Sequence, residues 1–599
     1  MKSNILFSLL VKISKMRFLI TLCFIVYGSS VSIAQLAKID PALIALSQSQ
    51  QELDYIVLME GNTDASPFTS GIQGKKNKGR WVYQYLKTTS DQSQAPLIAW
   101  LRQNKVNYFP FFVTNCIQVK SNFQILKTIA ARSDVKKITL NFNIKIDRIT
   151  SEPLISSREP EPEWGIKRIG ADSVWRMGYD GKDIVVGGQD TGYDWVVSPL
   201  KRKYRGYVND TLAQHDYNWH DAIHSKSPLA GDSLNPCGFN IVEPCDDNNH
   251  GTHTMGTMVG SDSSNLIGVA PGASWMACRN MERGNGQLST YLECFEWFLA
   301  PTDLNGENAN PDKAPHVINN SWYCSPEEGC NPGNWDALQI AVKNLKAAGV
   351  VVVVSAGNSG PGCETINAPP AHFEPSFSVG ATMFNDTIAN FSSRGPVSID
   401  SSFRIKPDVS APGRGVRSVI RGGTFASFNG TSMAGPHVAG LVALILSANP
   451  ELEGEVTTIE EIIRQTADIK YSDQDCGGVS GQAHPNPIYG YGRINAIAAV
   501  EEAIRTQVGY GSDPSEGKEE LIAYPNPAFD VIHVMAPTEP GGTYVLSVYN
   551  SFGVLVFTEK KGTPDFLLTV SGWAKGLYLA KMETVEKTFS ATARFEVIH

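Results

Sequence analysis

The sequence predicts an α/β protein: a parallel sheet with helices on both faces, preceded by a small α+β unit and followed by a small all-β sandwich. Three observations carry this. Between Trp164 and Ile504, short apolar runs alternate with helical patterns, and Val350 to Val354 is apolar at every position. Strands apolar on both faces belong to parallel sheets covered by helices. Upstream, the apolar spacing changes between strand and helix periods over about a hundred residues. Downstream of Leu521, short alternating strands separated by turn residues take over, as in an antiparallel sandwich.

At 599 residues the chain exceeds one ordinary core, so several domains are expected. Hydrophobic residues make up 42% and charged residues 19%, which is globular composition. The net charge of −9 and the lack of any Lys/Arg cluster argue against a nucleic-acid face.

Lys15 and Arg17 precede the apolar run Phe18 to Tyr27, and small residues then lead to Ser32-Ile33-Ala34, a cleavage site before Gln35. Residues 1–34 therefore read as a signal peptide, with Met16 an alternative start. The run is short for a bilayer span, and no other stretch reads as long and apolar enough to cross a membrane. Export makes the cysteines informative. Cys116 stands alone, and Cys237, Cys245, Cys278, Cys294, Cys324, Cys330, Cys363 and Cys476 form an even set that suggests disulfides. Eight cysteines allow about 105 pairings, so connectivity stays open, with local pairs such as Cys237 and Cys245 the simplest. No Cys-x-x-Cys spacing supports zinc.

In chain order, Tyr55–Met59 is a strand, Gln94–Asn104 a helix, Tyr108–Val119 one strand or two, Phe123–Arg132 a helix and Val135–Phe142 a strand. The order β-α-β-β-α-β is ferredoxin-like, and the unit holds no catalytic constellation. Ser151 to Glu163 is a polar, proline-bearing break, open to two readings: a site of proteolytic cutting or a passive linker. Beyond it, Asp183–Gln189 is a buried strand ending in Asp190, His250–Val259 a helix of small residues, and Val317–Ser321 a strand. Trp335–Ala348 is a helix, and Val350–Val354 a strand ending at Ser355-Ala356-Gly357-Asn358. Asn429-Gly430-Thr431-Ser432 is a tight turn opening the apolar helix that runs to Ala448, with Thr431 or Ser432 expected to cap it. Ile463–Ala467 and Ile494–Ile504 are closing helices, and Gln507–Glu519 is a polar linker. In the last domain Val531–Val534, Tyr544–Tyr549, Val554–Phe557, Phe566–Val570 and Leu577–Ala580 are strands.

Four residues have the chemistry of acyl transfer. A serine hydroxyl is a poor nucleophile until a histidine accepts its proton. That histidine needs a carboxylate to fix its tautomer, and the tetrahedral intermediate needs donors aimed at its oxyanion. Asp190 ends a buried strand, His250 starts a closely packed helix, Ser432 lies at the positive end of a helix dipole, and Asn358 offers a side-chain amide.

The blocks Asp190-Thr191-Gly192, His250-Gly251-Thr252-His253 and Gly430-Thr431-Ser432-Met433-Ala434-Gly435-Pro436-His437 resemble the three signature blocks of the subtilases, the subtilisin-like serine peptidases, with Ser355–Asn358 resembling the oxyanion block. The similarity covers roughly Trp164 to Ile504. It implies a subtilisin-like fold, Asp190 as orienting carboxylate, His250 as general base and acid, Ser432 as nucleophile and Asn358 as oxyanion donor. His253 and His437 are structural in that family. The resemblance makes Ser321, Trp322 and Gly357 substrate-binding candidates. Trp322 stands where many relatives carry a small residue; it either narrows the specificity pocket or packs against an insert. The first α/β unit becomes a propeptide, a folding aid and intramolecular inhibitor. The C-terminal sandwich resembles the sorting domain of type IX secretion substrates of Bacteroidetes, through Tyr524-Pro525-Asn526-Pro527-Ala528, Asn550-Ser551-Phe552-Gly553 and Gly576-Leu577-Tyr578. An ordinary ligand-binding sandwich is the alternative.

The resulting division is 1–34 signal peptide, 35–155 propeptide, 156–505 catalytic domain, 506–520 linker and 521–599 sorting domain. The expected activity is that of a secreted serine endopeptidase, surface-associated or released, acting on proteins or peptides. Its expected partners are its own propeptide and the secretion machinery, with no nucleic acid and no stable membrane span. A catalytically silent peptide-binding scaffold and an esterase are the rivals; the esterase elbow Gly-x-Ser-x-Gly is absent around Ser432. No cofactor is required. Structural calcium is compatible with the family, and Asp246-Asp247-Asn248-Asn249 offers oxygens, but a solvated acidic loop is the simpler reading and no metal site is assigned.

Overall fold

The computed structural model describes residues 36–61, 63–146, 150–152, 161–231, 234–507, 521–524, 526–536, 542–550, 554–585 and 589–598. The expected signal peptide lies outside these residues, as do 153–160 of the break, nearly all of the linker and the turn at 551–553. The chain divides into two compact units, Met1–Val508 and Gly509–His599.

The first unit begins with α1 (Pro41–Leu46), β1 (Leu53–Met59), α2 (Lys75–Gln103), β2 (Asn107–Phe111), β3 (Cys116–Ser121), α3 (Phe123–Ala130) and β4 (Val135–Leu140). Its strands form an antiparallel sheet in the order β2-β3-β1-β4. Helix α2 starts at Lys75, well before the expected Gln94. Its buried face runs Val82, Leu86, Ser90, Gln94, Leu97 and Leu101, and the two polar members hide the period in a sequence reading. Ser90 and Gln94 are satisfied there: Ser90 donates to the Phe112 carbonyl, and Gln94 to the Phe111 carbonyl and Asn115.

Short strands β5 (Asn143–Lys145) and β6 (Thr150–Glu152) follow, then α4 (Trp164–Ile169), α5 (Ala171–Arg176), β7 (Val185–Asp190), the hairpin β8 (Tyr207–Asn209) and β9 (Leu212–Ala213), and β10 (Trp219–Asp221). Next come α6 (His250–Val259), β11 (Ser274–Arg279), β12 (Asn285–Gln287), α7 (Leu288–Leu299), β13 (Val317–Asn320), α8 (Asp336–Ala347), β14 (Val351–Ser355), β15 (Phe377–Thr382) and β16 (Val409–Pro412). The unit closes with β17 (Val416–Val419), β18 (Phe425–Asn429), α9 (Thr431–Ala448), α10 (Val456–Gln465) and α11 (Ala496–Gln507).

Seven strands form one parallel sheet in the order β10-β11-β7-β13-β14-β15-β16. Successive side chains on a strand point to opposite faces. Val351 and Val353 accordingly join the cluster under α6 and α9, and Val352 and Val354 the one under α7 and α8. The second cluster continues into the leading unit through Ile56, Leu58, Val82, Leu86 and Phe111, so the antiparallel sheet docks on α7 and α8. Helix α10 covers Val456–Gln465 rather than Ile463–Ala467; its apolar positions Val456, Ile459, Ile462 and Ile463 are interrupted by acidic residues that masked the period. Contrary to the sequence reading, α9 is long and apolar enough to cross a membrane, but 94% of it is buried inside the protein as the central core helix.

Four disulfides join Cys237 to Cys245, Cys278 to Cys294, Cys324 to Cys330 and Cys363 to Cys476, and Cys116 is a buried free thiol. The first is the local pair expected.

The second unit packs two sheets. One is β19 (Ile522–Tyr524), β20 (Val531–Met535) and β23 (Asp565–Thr569); the other has the order β22 (Leu555–Lys561), β21 (Tyr544–Asn550), β24 (Gly576–Thr584) and β25 (Ser590–Val597). Ile532, Val534, Phe566 and Leu568 from the first sheet and Leu546, Val548, Ala580, Met582 and Phe595 from the second form its core. Strands β19 and β25 are additions to the sequence reading.

Candidate active site

The adjacent strands β7, β13 and β14 end side by side, and function in such sheets gathers at the carboxyl ends. Asp190 is the last residue of β7, Ser321 follows β13, and Gly357 and Asn358 follow β14. His250 opens α6, and Ser432 is the second residue of α9.

Asp190 and His250 meet directly. Both carboxylate oxygens of Asp190 face His250 Nδ1, at 2.8 and 2.9 Å, and both residues are buried. This holds the proton on Nδ1 and leaves Nε2 as the basic nitrogen. The Ser432 hydroxyl donates to the Ser321 carbonyl at 3.2 Å, while Ser321 Oγ donates to the Ser432 carbonyl at 2.9 Å. Asn319 Nδ2 in turn donates to Ser321 Oγ at 2.8 Å.

The cap of α9 is Gly430, not Thr431 or Ser432, and no side chain caps that end. The hydroxyl of Thr431 does other work: it accepts from Gly357 N–H at 3.2 Å and donates to Asn358 Oδ1 at 3.0 Å. Thr431 N–H also donates to Asn358 Oδ1, at 2.9 Å. With its oxygen committed to Thr431, the amide nitrogen of Asn358 faces the other way, 3.7 Å from where a Cβ on Gly430 would stand. Gly357 has φ +100°, a left-handed conformation suited to glycine, and a Cβ there would meet Ser393 Oγ at 2.9 Å.

Trp322 is not brought to the groove. Its ring is buried, edge-on to Tyr291 at 4.1 Å and to Phe295 at 6.3 Å, under α7. A large aromatic gains more from that apolar contact than from a wet groove. His253 and His437 are held in the core. His253 Nε2 donates to the Val416 and Ala426 carbonyls and its ring stacks on Phe428; burial lowers its pKa to about 3. His437 Nδ1 donates to the Met433 carbonyl, and burial lowers its pKa to about 4.

The acidic run before His250 is not a solvated loop. Asp246 is buried and accepts from Thr191 Oγ1 at 2.9 Å, Asn248 N at 2.9 Å, Asn249 N at 3.0 Å, Thr252 N at 3.0 Å and Thr252 Oγ1 at 2.5 Å. Thr191 Oγ1 accepts from Gly251 N–H at 3.0 Å. One carboxylate thus ties the turn after Asp190 to the start of the His250 helix. Asp247 pairs with buried Arg279 at 2.6 Å and accepts from Arg283 N–H at 2.8 Å; burial raises its pKa to about 7. With these oxygens turned to N–H and O–H donors, the run does not fit calcium, which needs free oxygens around one centre. Among the described residues no group of His, Cys, Asp or Glu is arranged to hold a metal. Asp246 and Thr431 were missed as site residues in the sequence. The available signal for Asp246 was a carboxylate four places before His250, at the start of a helix with unpaired N–H groups.

The structure therefore joins Asp190, at a strand end, to His250, at the start of α6, while the Ser432 hydroxyl, at the start of α9, rests on the Ser321 carbonyl. Residues 181–492, more than half of the chain, match the subtilase family, Peptidase S8. The chain belongs to the subtilase family. It is 35% identical over 455 residues to Bacillopeptidase F of Bacillus subtilis (strain 168), spanning 72% of this chain but 29% of that protein. It is 34% identical over 290 residues to serine protease AprX of the same organism, spanning 43% of this chain and 59% of that one. With subtilisin DY of Bacillus licheniformis it shares 34% over 292 residues, spanning 48% and 86%. In fold it is similar to the crystal structure of the epidermin leader peptide processing serine protease of Staphylococcus aureus, with a TM-score of 0.52 at 18% identity, covering 76% of this chain and 99% of that one. Residues 522–594 match the secretion system C-terminal sorting domain. The tail and the family together mark a secreted protein.

Proposed function

We propose that the chain is a serine endopeptidase secreted as a self-inhibited zymogen. The observation that carries this reading is the clamp of Asp190 on His250 Nδ1, in a fold where Ser432 stands at the N-terminus of the buried helix α9. In the proposed cycle Ser432 Oγ leaves the Ser321 carbonyl by a χ1 rotation, gives its proton to His250 Nε2 and attacks the peptide carbonyl. The Asn358 amide and the Ser432 backbone N–H stabilise the oxyanion. His250 then protonates the leaving amine and activates the water that hydrolyses the acyl-enzyme.

The leading unit is the proposed inhibitor. Its exit strand β5 pairs antiparallel with β12, Ile144 opposite Gly286, and β6 pairs antiparallel with β18, Ser151 opposite Phe428. An extended segment added to β12 and to β18, the strand that leads into the Ser432 helix, resembles the way a peptide is held by β-augmentation. Two side chains grip the unit from the other side. Glu296 accepts the N–H groups of Phe112, at 2.5 Å, and Val113, at 2.9 Å; Asn344 donates to the Thr63 and Val113 carbonyls and accepts from Ala65 N–H. Burial raises the Glu296 pKa to about 8. A cut between β5 and α4 would free the groove. The C-terminal unit is the proposed address for the secretion machinery, and other proteins are the proposed substrates.

The test is self-processing. The wild-type chain should shorten and then degrade an unfolded protein substrate; Ser432→Ala should stay full length and inactive. Self-processing of purified Ser432→Ala at the wild-type rate would refute the reading.

A further inference from the structure

Strand β5 has two edges, and only one of them faces β12. Ile146 N–H donates to the Gly284 carbonyl at 2.8 Å on that edge. Backbone groups alternate along an extended strand, so the N–H of Lys145 points the opposite way. There it meets Glu328: Lys145 N–H donates to Glu328 Oε1 at 2.6 Å. The second oxygen, Oε2, accepts from Ser325 N–H at 2.7 Å, so both ends of the carboxylate are fixed. Glu328 closes a 3-10 turn, Pro326–Glu328, inside the loop that the Cys324–Cys330 disulfide ties off. Gly329 ends the turn at φ +99°, and Cys324 N–H donates to the Pro369 carbonyl at 2.9 Å, anchoring the root of the loop.

We propose that Glu328 is a substrate-binding residue: its carboxylate takes a main-chain N–H of the bound peptide, on the edge that β12 leaves unpaired. This deepens the peptidase reading and rests on it, with β5 standing for the acyl-side strand of a substrate. A hydrogen bond to an ionised acceptor is stronger than a neutral one, and here the acceptor is pre-organised by the disulfide-bracketed turn. The contact reads the backbone, so it is blind to side-chain identity except that it rejects proline, which has no N–H. Lys145 marks the position in register.

The test uses the full chain, expressed and left to process, as wild type and as Glu328→Gln. Two peptides with the sequence of residues 140–152 are compared, one unmodified and one N-methylated at the Lys145 nitrogen. The wild-type KM should rise about tenfold on the methylated peptide, the scale of one charge-assisted hydrogen bond. Glu328→Gln should show that rise already on the unmodified peptide and little further loss on the methylated one, with kcat unchanged. A loop that had merely collapsed would instead weaken both peptides alike and lower the thermal midpoint. Equal KM values for the two enzymes on the unmodified peptide, or an undiminished methylation effect in Glu328→Gln, would overturn the proposal while leaving the peptidase reading intact. A wild-type chain that leaves both peptides uncut would overturn the peptidase reading, and this one with it.

Discussion

Asp246→Asn tests whether the Asp190–His250 geometry depends on the carboxylate beneath it. Asp246 accepts five hydrogen bonds, from Thr191, Asn248, Asn249 and, twice, Thr252, and donates none. An asparagine has one acceptor oxygen and one NH2 group. If the NH2 replaces Oδ2 it faces the Thr252 N–H and hydroxyl; if it replaces Oδ1 it faces three donors. The milder orientation leaves two buried donors without a partner. At about 1.5 kcal/mol each, the loss is roughly 3 kcal/mol, or about 5–10 °C in thermal midpoint for a domain of this size. Thr191 and Thr252 must shift to relieve the clash; Thr191 follows Asp190 in the chain and donates to it, and Thr252 lies two residues after His250 on α6. Displacement by about an ångström costs on the order of a hundredfold in rate. The assay is differential scanning calorimetry on the unprocessed Ser432→Ala background, paired with kcat on the processed enzyme. A midpoint within about 1 °C of the parent together with unchanged kcat would refute the positioning argument.

Three further outcomes follow. His224 pairs with buried Glu293, which raises the His224 pKa to about 9 and, with His220, lowers that of Glu293 to about 2. The histidine's contribution is therefore complete below its ordinary value of 6.5 and is lost as pH rises to about 9; the glutamate's is complete above 4.5 and is lost as pH falls to about 2. Because the His224 side chain is 48% exposed, solvent screening leaves about 1 kcal/mol; His224→Ala should flatten the fall of the unfolding midpoint between pH 6.5 and 9, and an unchanged slope would contradict it. Removing the Cys363–Cys476 link, which spans 113 residues, with Cys363→Ser/Cys476→Ser should cost about 3–5 kcal/mol in urea unfolding, and a loss under about 1 kcal/mol would show that the closed loop does not constrain the unfolded chain. Asp190→Asn should keep the midpoint near wild type yet lower kcat by about 10⁴, because the Nδ1 tautomer is no longer enforced; a loss of less than tenfold would deny Asp190 its orienting role.

The parallel sheet was legible because its strands are apolar on both faces, as Val350 to Val354 shows. The strand ends at Asp190, Ser321 and Asn358 were legible for the same reason: each lies within about four residues of the last valine or isoleucine of an apolar run. Much of α2 was not, because Ser90 and Gln94 occupy its buried face and donate hydrogen bonds to carbonyls that only the fold brings close. The same cause hid Asp246. Its burial depends on Thr191, which is 55 residues away in sequence and close only after folding. Trp322 had two open readings, and packing against Tyr291 could be decided only by the placement of α7. Disulfide pairing beyond the local guess likewise needed three-dimensional proximity, as Cys363 and Cys476 show.

The central claim is that Ser432 is activated by His250, itself set by Asp190. A fluorophosphonate label on the processed protein measures this most directly. The account predicts one adduct, on the peptide carrying Ser432, and its loss in His250→Ala. Labelling of another residue, or equal labelling of Ser432 without the histidine, would contradict it.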